Sequence, residues 1–335
     1  MFDFDELDEL LPVNDDFDES VCQIRKLVGF DCQIMYPSCN TPTTLAVVFF
    51  HGSGQPWKVE QERLFTSERI QQLVAAGVCV VLPASPLKDK GIHFWYNSDS
   101  AQIAELLLQA KQLDQTSLRV GDISKSRQND VSPKAAGSVS AVTASGLPRL
   151  PSAGQSFAVS PLDAFKDGEP ALMDVTRPMV LELIAAVEES LGLPCGRVVL
   201  GGFSQGAAVA MDCALHLLPK VPCAVGFFSG SLMCRQRWRS QFASAGAACR
   251  DSWRQLPMLQ GHGNADWAVG VNGGRWLHTF CKDELGMQHL EYVEFLGGHT
   301  VPPELADKFL ELTVTAACHP DATRQYLTSK LLMMS

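Results

Sequence analysis

The sequence lacks any run of about 18 apolar residues, the length that a helix needs to cross a bilayer. Its start lacks the basic residues and the apolar stretch of a secretory signal. No cluster of Lys and Arg is present, so there is little source for the counterion release that drives binding to phosphates. These absences argue against membrane spanning, export and nucleic-acid binding. They predict a cytoplasmic protein with at most peripheral membrane contact.

Charge is also scarce over most of the chain, although the formal net charge is −10. Nine acidic residues and no Lys or Arg fall within residues 1–20, whereas the remainder holds 27 basic and 28 acidic side chains. The body is therefore nearly neutral, and residues 1–20 are predicted to form an acidic disordered tail. A short partner-binding helix, with Phe4, Leu7 and Leu10 at helical spacing, is the alternative for this tail.

The eleven cysteines include no Cys-x-x-Cys pair, and the sequence has no His-Glu-x-x-His segment. Zinc sites and redox dithiols usually show such spacings. Reduced, mostly buried thiols are therefore predicted, with no metal and no organic cofactor. Spacing alone leaves open a metal site built from His51, His262 and Asp266.

Strand-like and helix-like patterns alternate over residues 21–112 and again from about 175 to 318. This alternation predicts an α/β fold with a mostly parallel sheet covered by helices on both faces, in one domain spanning 21–318. Residues 113–172 are rich in Ser, Ala, Gly and Pro and are predicted to be a disordered insertion in that domain. Residues 319–335 are predicted to be a C-terminal tail.

Apolar runs of four to six residues predict the strands, and apolar residues at helical spacing predict the helices. The predicted strands are 45–50, 78–82, 197–200, 224–228, 256–260 and 290–295, and the predicted helices are 60–76, 178–191, 205–218, 272–285 and 303–317.

The most specific motif is Gly202-Phe203-Ser204-Gln205-Gly206, a Gly-x-Ser-x-Gly sequence between a predicted strand and a predicted helix. The two glycines permit a tight turn that exposes the serine hydroxyl at its apex. A simple glycine-rich turn is the alternative, but the strand before and the small-residue helix after are the context that a nucleophile elbow requires. Ser204 is therefore the predicted nucleophile.

A serine hydroxyl needs a base and an orienting carboxylate, which follow an elbow in the order Ser, Asp or Glu, His. Asp266 follows the predicted strand 256–260, and His299 follows the predicted strand 290–295. These two residues are the predicted acid and base. His51 and His262 also lie in strand-end loops flanked by glycine, and loop-shaping roles are predicted for both.

The oxyanion of acyl transfer needs two backbone N–H donors. One comes from the residue after the nucleophile, which is Gln205, and the other from the loop after the first buried strand. In the segment His51-Gly52-Ser53-Gly54, the best candidate for that second donor is Ser53.

With these motifs the sequence resembles the acyl-protein thioesterase, lysophospholipase and carboxylesterase family of small serine α/β-hydrolases. The likeness covers about 45–112 and 175–318, with every matching block in family order. The blocks are Phe49-Phe50-His51-Gly52-Ser53-Gly54, Leu82-Pro83-Ala84-Ser85-Pro86, Trp95-Tyr96, Leu200-Gly201-Gly202-Phe203-Ser204-Gln205-Gly206, His262-Gly263-Asn264-Ala265-Asp266 and Gly298-His299.

The resemblance implies an α/β-hydrolase fold in which Ser204, Asp266 and His299 form the triad. It implies that Ser53 and Gln205 supply the oxyanion amides and that Trp95 belongs to the wall near the acyl site. Four features depart from the family pattern: Gln55 replaces a frequent acid, Trp95-Tyr96-Asn97 replaces Trp-Phe-Asp, the segment between Pro86 and Trp95 is short, and the insertion at 113–172 is foreign to the family core.

Three functions follow as hypotheses. The first is hydrolysis of an ester or thioester with an apolar acyl group, on an acylated protein or a small lipid ester such as a lysophospholipid. The second is a short-chain carboxylesterase, which differs from the first in pocket depth. The third, of another class, is a non-catalytic scaffold that binds partners through the acidic tail and the insertion. The intact triad favours an enzyme.

Overall fold

The computed structural model of the protein describes residues 22–38, 40–54, 56–57, 60, 63–96 and 168–318. At the centre of the described residues lies a sheet of eight strands. A separate hairpin of two short strands lies outside this sheet. In chain order the strands are β1 (Cys22–Leu27), β2 (Phe30–Met35), β3 (Leu45–Phe50), β4 (Val78–Ala84), β5 (Lys88–Asp89), β6 (Ile92–His93), β7 (Val198–Phe203), β8 (Ala224–Phe228), β9 (Met258–Gly263) and β10 (Leu290–Phe295).

Seven α-helices accompany the strands in the described part of the chain. They are α1 (Ser67–Ala75), α2 (Met173–Ser190), α3 (Gln205–His216), α4 (Arg235–Ser244), α5 (Ala247–Arg254), α6 (Val271–Thr279), which continues into a π-helical turn at Phe280–Glu284, and α7 (Pro303–Cys318).

The order of the strands in the large sheet is β1-β2-β4-β3-β7-β8-β9-β10. All neighbours from β4 to β10 pair in parallel, whereas β1 and β2 are antiparallel at one edge. The prediction of a mostly parallel sheet is therefore confirmed. Parallel pairing brings the carboxyl ends of β3, β7, β9 and β10 to the same end of the sheet, its carboxyl edge. Ligand sites of open α/β sheets occur there.

Both faces of the sheet are buried at its central strands, because alternate side chains of these strands enter different cores. In β3, one set packs under α2 to α6 and the other packs under α1 and α7. The prediction of helices on both faces is confirmed. The first set is Ala46, Val48 and Phe50, and the second is Leu45, Val47 and Phe49.

The predicted strands and helices occur in the structure, several of them with shifted ends. Strands β3, β8 and β10 have the predicted bounds, whereas α1 is shorter than the predicted helix 60–76. Helix α2 begins at Met173, five residues before the predicted start at Pro178. Its first turn is held by tertiary contacts, since Met173 is fully buried and the Thr176 hydroxyl donates to the carbonyl oxygen of Trp95.

A buried ion pair joins the helices on one face of the sheet. The Asp212 carboxylate on α3 is fully buried and accepts hydrogen bonds from Arg177 Nε on α2 at 2.6 Å and from Trp238 Nε1 on α4 at 2.7 Å. Arg177 also pairs with Glu169, 2.6 Å away. Of the predicted insertion at 113–172, only 168–172 are described, and Glu169 thus contacts the folded body.

The predicted tails at 1–20 and 319–335 lie outside the described residues, and so do residues 113–167 of the insertion, so their disorder stays a prediction. Among the helices described, none has both the length and the apolar character needed to cross a membrane. The ten cysteines of the described residues are free thiols. Burial raises the pKa of Cys32 and of Cys79 to about 12, so these two thiols stay protonated.

Candidate active site

Ser204 occupies the turn that joins β7 to α3. Its φ of +55° and ψ of −118° are a conformation that residues other than Gly rarely adopt. Its N–H donates a hydrogen bond of 2.9 Å to the carbonyl oxygen of Phe228 on the neighbouring strand β8. Strand, strained apex and helix follow one another as in a nucleophile elbow, at the carboxyl edge of the sheet.

Gly206 allows α3 to start directly against the end of β3. A Cβ atom at this position would lie 2.0 Å from the carbonyl oxygen of Phe50 and 2.6 Å from that of His51. Both distances are far shorter than a van der Waals contact, so no side chain fits. The second glycine of the Gly-x-Ser-x-Gly motif is therefore required by close approach of two backbones.

The loops after β9 and β10 bring Asp266 and His299 into contact. His299 Nδ1 lies 2.8 Å from Asp266 Oδ2, and Asp266 is only 4% exposed. The other oxygen of Asp266, Oδ1, accepts hydrogen bonds from the backbone N–H groups of Ala268 at 2.9 Å and Val269 at 2.8 Å. The carboxylate is therefore held from both sides.

The ionisation of Asp266 follows from these contacts. Burial by itself would raise the pKa of the Asp266 carboxyl, but the charge and hydrogen bond of His299, together with the hydrogen bond of His262, lower it well below its usual range. Asp266 therefore stays ionised and accepts the Nδ1–H of His299. In that tautomer the Nε2 lone pair of His299 can accept a proton.

Two aromatic rings lie beside the imidazole of His299. The ring of Phe203, the residue before Ser204, has its centroid 4.7 Å from that of His299. The ring of Trp267, the residue after Asp266, has its centroid 6.1 Å away. The structure thus brings the segments of all three predicted triad residues together at the carboxyl edge of the sheet.

His262 is a second histidine at the Asp266 carboxylate. Its buried Nε2 lies 2.8 Å from the carbonyl oxygen of Val269 and 3.4 Å from Asp266 Oδ2. Both neighbours are acceptors, so Nε2 carries the hydrogen. Helix α6 lies directly against the ring, since a Cβ atom on Gly274 would be 2.4 Å from His262 Nδ1. His262 therefore contacts Asp266 itself, in addition to the loop that the sequence predicts it to shape.

The loop His51–Gly54 follows β3, and hydrogen bonds hold both polar groups of its first peptide unit. The carbonyl oxygen of His51 accepts a hydrogen bond of 2.8 Å from Trp95 Nε1. The N–H of Gly52, at the other side of the same peptide, donates to Glu60 Oε1 at 3.3 Å. The His51–Gly52 peptide is therefore clamped between an indole and a carboxyl group.

The next peptide unit, between Gly52 and Ser53, is oriented by the His51 ring. His51 Nε2 accepts a hydrogen bond of 3.0 Å from Ser85 N–H, so the ring hydrogen is on Nδ1, which donates to the carbonyl oxygen of Gly52 at 2.5 Å. Burial lowers the pKa of His51 to about 4, which keeps the ring neutral. The C=O and N–H of a trans peptide point in opposite directions, so this bond also sets the direction of the Ser53 N–H.

The Ser53 N–H has no hydrogen-bond partner among the described residues, whereas the N–H and C=O of Gly54 are both bonded to His93. The loop also lies against the elbow, because a Cβ atom on Gly52 would be 3.2 Å from Ser204 Cβ. Gln205 directly follows Ser204 as the first residue of α3. The two predicted oxyanion residues therefore lie on the two segments that meet at Ser204.

Trp95, which the resemblance places in the wall near the acyl site, packs beneath the His51 loop. Its indole is fully buried, with its ring centroid 6.2 Å from that of Phe30, 5.4 Å from that of Phe50 and 5.0 Å from that of His51. Its backbone N–H donates to Gln205 Oε1 at 3.0 Å. These contacts show that Trp95 supports the His51 loop, and its place near the acyl site stays a prediction.

The alternative metal site has no support in the geometry. No group of three or more His, Cys, Asp or Glu side chains that could hold a metal ion occurs within the described ranges. His51 Nε2 and His262 Nε2 are both engaged in the hydrogen bonds given above.

Glu60 is a residue of this region that sequence reasoning missed. It falls at the first position of the predicted helix 60–76, where an acidic residue is ordinary and suggests no role. Only the course of the chain in three dimensions brings its carboxyl group to the N–H of Gly52. No local signal in the sequence could have identified it.

The known proteins that this chain resembles are esterases and thioesterases. A sequence profile of the phospholipase/carboxylesterase family of α/β-hydrolases matches residues 149–313. Acyl-protein thioesterase 1 of Eremothecium gossypii is 31% identical over 127 residues, which are 37% of this chain and 50% of that protein. Acyl-protein thioesterase 1 of Yarrowia lipolytica is 28% identical over 149 residues, 44% of this chain and 61% of that protein. The chain thus spans between half and about three fifths of the length of these relatives.

Solved structures share the fold. The esterase PE8 superposes with a TM-score of 0.53 at 18% identity, over 84% of this chain and 96% of that one. A carboxylesterase from Mesorhizobium loti has a TM-score of 0.51 at 10% identity, over 87% of this chain and 97% of that one. At such identities the likeness concerns the fold alone, and the α/β-hydrolase fold that the resemblance implies is confirmed.

Proposed function

Because the profile of the phospholipase/carboxylesterase family of α/β-hydrolases matches residues 149–313 of this chain, we propose that it is a serine hydrolase of carboxylic esters or thioesters with apolar acyl groups. The observation that carries the proposal is the 2.8 Å contact of His299 Nδ1 with the buried Asp266, next to the strained turn of Ser204. Nucleophile, base and orienting carboxylate are the groups that acyl transfer requires.

In the proposed mechanism, Ser204 Oγ attacks the acyl carbonyl carbon while His299 Nε2 takes the hydroxyl proton. The N–H groups of Ser53 and Gln205 stabilise the resulting oxyanion. The tetrahedral intermediate then expels the alcohol or thiol, which receives the proton from His299. A water molecule, deprotonated by His299, attacks the acyl-enzyme and releases the acid. Asp266 keeps the imidazole in the required tautomer and stabilises the imidazolium that forms.

The proposed acyl group is apolar because exposed apolar side chains adjoin the triad loops. Trp267, directly after Asp266, is 37% exposed, and Leu296, three residues before His299, is 93% exposed. Two relatives are named acyl-protein thioesterase 1, which suggests an acylated protein as substrate. A small lipid ester contains the same class of scissile bond. A short-chain carboxylesterase is the alternative, favoured by the short segment between Pro86 and Trp95.

A chain-length series tests this proposal. We expect kcat/KM to rise by about ten-fold or more from p-nitrophenyl acetate to the octanoate ester, because each added methylene that is buried favours binding by about 0.8 kcal/mol. An S-octanoyl thioester assayed beside the octanoate ester measures the preference for the leaving group. A kcat/KM that is highest for acetate would support the short-chain alternative. Absence of hydrolysis for every ester and thioester would refute the hydrolase itself.

His262 is expected to act through Asp266. Replacing His262 with Leu removes the Nε2–H that faces Asp266 Oδ2, so the carboxylate loses a donor and the packing that orients it. Hydrogen bonds to charged groups contribute about 1.5–3 kcal/mol, so kcat should fall by about 10- to 100-fold with a smaller change in KM. The measurement is steady-state hydrolysis of p-nitrophenyl octanoate over a range of pH.

The matched control is His262→Gln, whose side-chain N–H₂ can replace the donor at Nε2. We expect this variant to regain most of the kcat lost in His262→Leu. Equal losses in both variants, with equal losses of thermal stability, would indicate that His262 only fills space beneath α6.

A further inference from the structure

We propose that Glu60 is a positioning residue of the oxyanion loop and that it works in its protonated, uncharged form. The inference rests on the hydrolase activity proposed above. Glu60 is not a member of the proposed triad and belongs to no sequence motif described above.

The geometry places Glu60 opposite Trp95 across one peptide unit. Trp95 Nε1 donates to the carbonyl oxygen of His51, and Glu60 Oε1 accepts from the N–H of Gly52 on the other side. The peptide that follows carries the Ser53 N–H. Because a rigid peptide turns as a unit, releasing the Gly52 N–H would let this region rotate and would misdirect the proposed oxyanion donor.

The surroundings of Glu60 favour the uncharged form. Glu60 is 2% exposed, and its second oxygen, Oε2, has no hydrogen-bond partner among the described residues. Burying an ionised carboxyl group with few donors is costly. A protonated carboxyl group still accepts the hydrogen bond from Gly52 through its carbonyl oxygen.

The charges that act on Glu60 agree with this assignment. Burial raises the pKa of Glu60 to about 7, and the backbone N–H groups of Glu60 and Gly52 and the charge of Arg63 each reduce the rise. Arg63 is solvent-exposed, and the His51 ring nearby is neutral. Lys58 and Glu62, close in the chain, lie outside the described residues. Glu60 therefore changes charge near neutral pH, where the enzyme would be assayed.

Ionisation of Glu60 would oppose catalysis. The oxyanion forms at the Ser53 N–H, one residue beyond the N–H that Glu60 holds. A negative charge on Glu60, with an effective dielectric constant of about 20, would repel the oxyanion and slow the reaction by about ten-fold. An uncharged Glu60 holds the loop without this penalty.

The test compares the wild type with Glu60→Gln from about pH 6 to about pH 9, using p-nitrophenyl octanoate. Gln keeps an oxygen acceptor for the Gly52 N–H and has no charge at any of these pH values. We expect the two proteins to have similar kcat/KM at the low end. At the high end the wild type should be about ten-fold slower than Glu60→Gln. Both proteins share the same general base, so the ratio of their kcat/KM values isolates Glu60.

Thermal unfolding of both proteins gives a second readout that does not need activity. The pKa of Glu60 is raised in the folded state, so the stability that its protonation contributes is present at low pH and is lost as pH rises to about 7. The Tm of the wild type should therefore fall relative to that of Glu60→Gln between about pH 4.5, the ordinary pKa of Glu, and about pH 7, with no further change above it.

The outcomes separate the two proposals. A constant ratio of kcat/KM across the pH range, or a ratio that changes in the opposite direction, overturns the role of Glu60 while the hydrolase activity stands. A wild type that hydrolyses no ester at any pH overturns the proposed function, and the role of Glu60 with it.

Discussion

Replacement of Ser204 by Ala is expected to lower kcat/KM for ester hydrolysis by about 10⁴- to 10⁶-fold, the loss that follows removal of the nucleophile in serine hydrolases. The substitution removes only Oγ. The hydrogen bonds of Ser204 within the described residues are made by its backbone, to Phe228 and from Ala207, and both persist in Ala. The variant should therefore fold with a nearly unchanged Tm, and the loss of rate is chemical.

Two measurements check this expectation. A fluorophosphonate probe should label the wild type at Ser204, as located by mass spectrometry of the adduct, and should not label Ser204→Ala. The matched control is Ser53→Ala, which keeps the backbone N–H that we propose for the oxyanion and should retain kcat/KM within a few-fold of wild type. If Ser204→Ala kept wild-type activity and labelling, another nucleophile would be responsible. If the wild type itself were neither labelled nor active, the scaffold hypothesis would gain support.

Gly206→Ala is expected to be strongly destabilising. Its new Cβ would lie 2.0 Å from the carbonyl oxygen of Phe50 and 2.6 Å from that of His51, so α3 and β3 must separate. Neither neighbour is a flexible side chain that can turn away. We expect a loss of at least about 4 kcal/mol, which lies at the extreme of single substitutions and corresponds to a Tm lower by roughly 10 °C.

Activity should fall together with stability in Gly206→Ala, because the displaced carbonyl of His51 is the acceptor that Trp95 Nε1 uses to hold the oxyanion loop. The matched control is Gly246→Ala. Gly246 precedes α5, has a φ of −60°, and has open space around the position of an added Cβ. Its variant should change the Tm by less than about 2 °C, since exposed substitutions usually cost under about 0.5 kcal/mol. Similar losses in the two variants would contradict the close approach of α3 and β3.

The central strands were predictable because their pattern is local and unambiguous. Leu45–Phe50 and Ala224–Phe228 are continuous apolar runs, and the structure buries all of their side chains between two layers of helices. The elbow was predictable for the same reason, since the glycines, serine and small residues that it needs are contiguous in the sequence. A tight turn between two regular elements is encoded by the residues of the turn.

The peripheral elements were not predictable. β1 and β2 have charged and polar residues such as Arg25 and Asp31, and their pairing at the sheet edge depends on β4, more than forty residues away in the sequence. The start of α2 is set by burial of Met173 and by a hydrogen bond of Thr176 to Trp95. Contacts of this kind leave no periodic signal, because they join residues from distant parts of the chain.

The residues of the candidate site also fall into a predictable group and an unpredictable group. The residues proposed to perform chemistry, Ser204, Asp266 and His299, could be read from the sequence, because each must stand in a loop at the end of a strand in a set order. Their support could not be read. The His51 ring orients the Ser53 peptide, Trp95 and Glu60 clamp the peptide before it, and His262 contacts Asp266. Reactive groups need particular residue types in particular local settings. Supporting groups need only to be a donor, an acceptor or a buried ring at the right point in space, and that point exists only once the chain has folded.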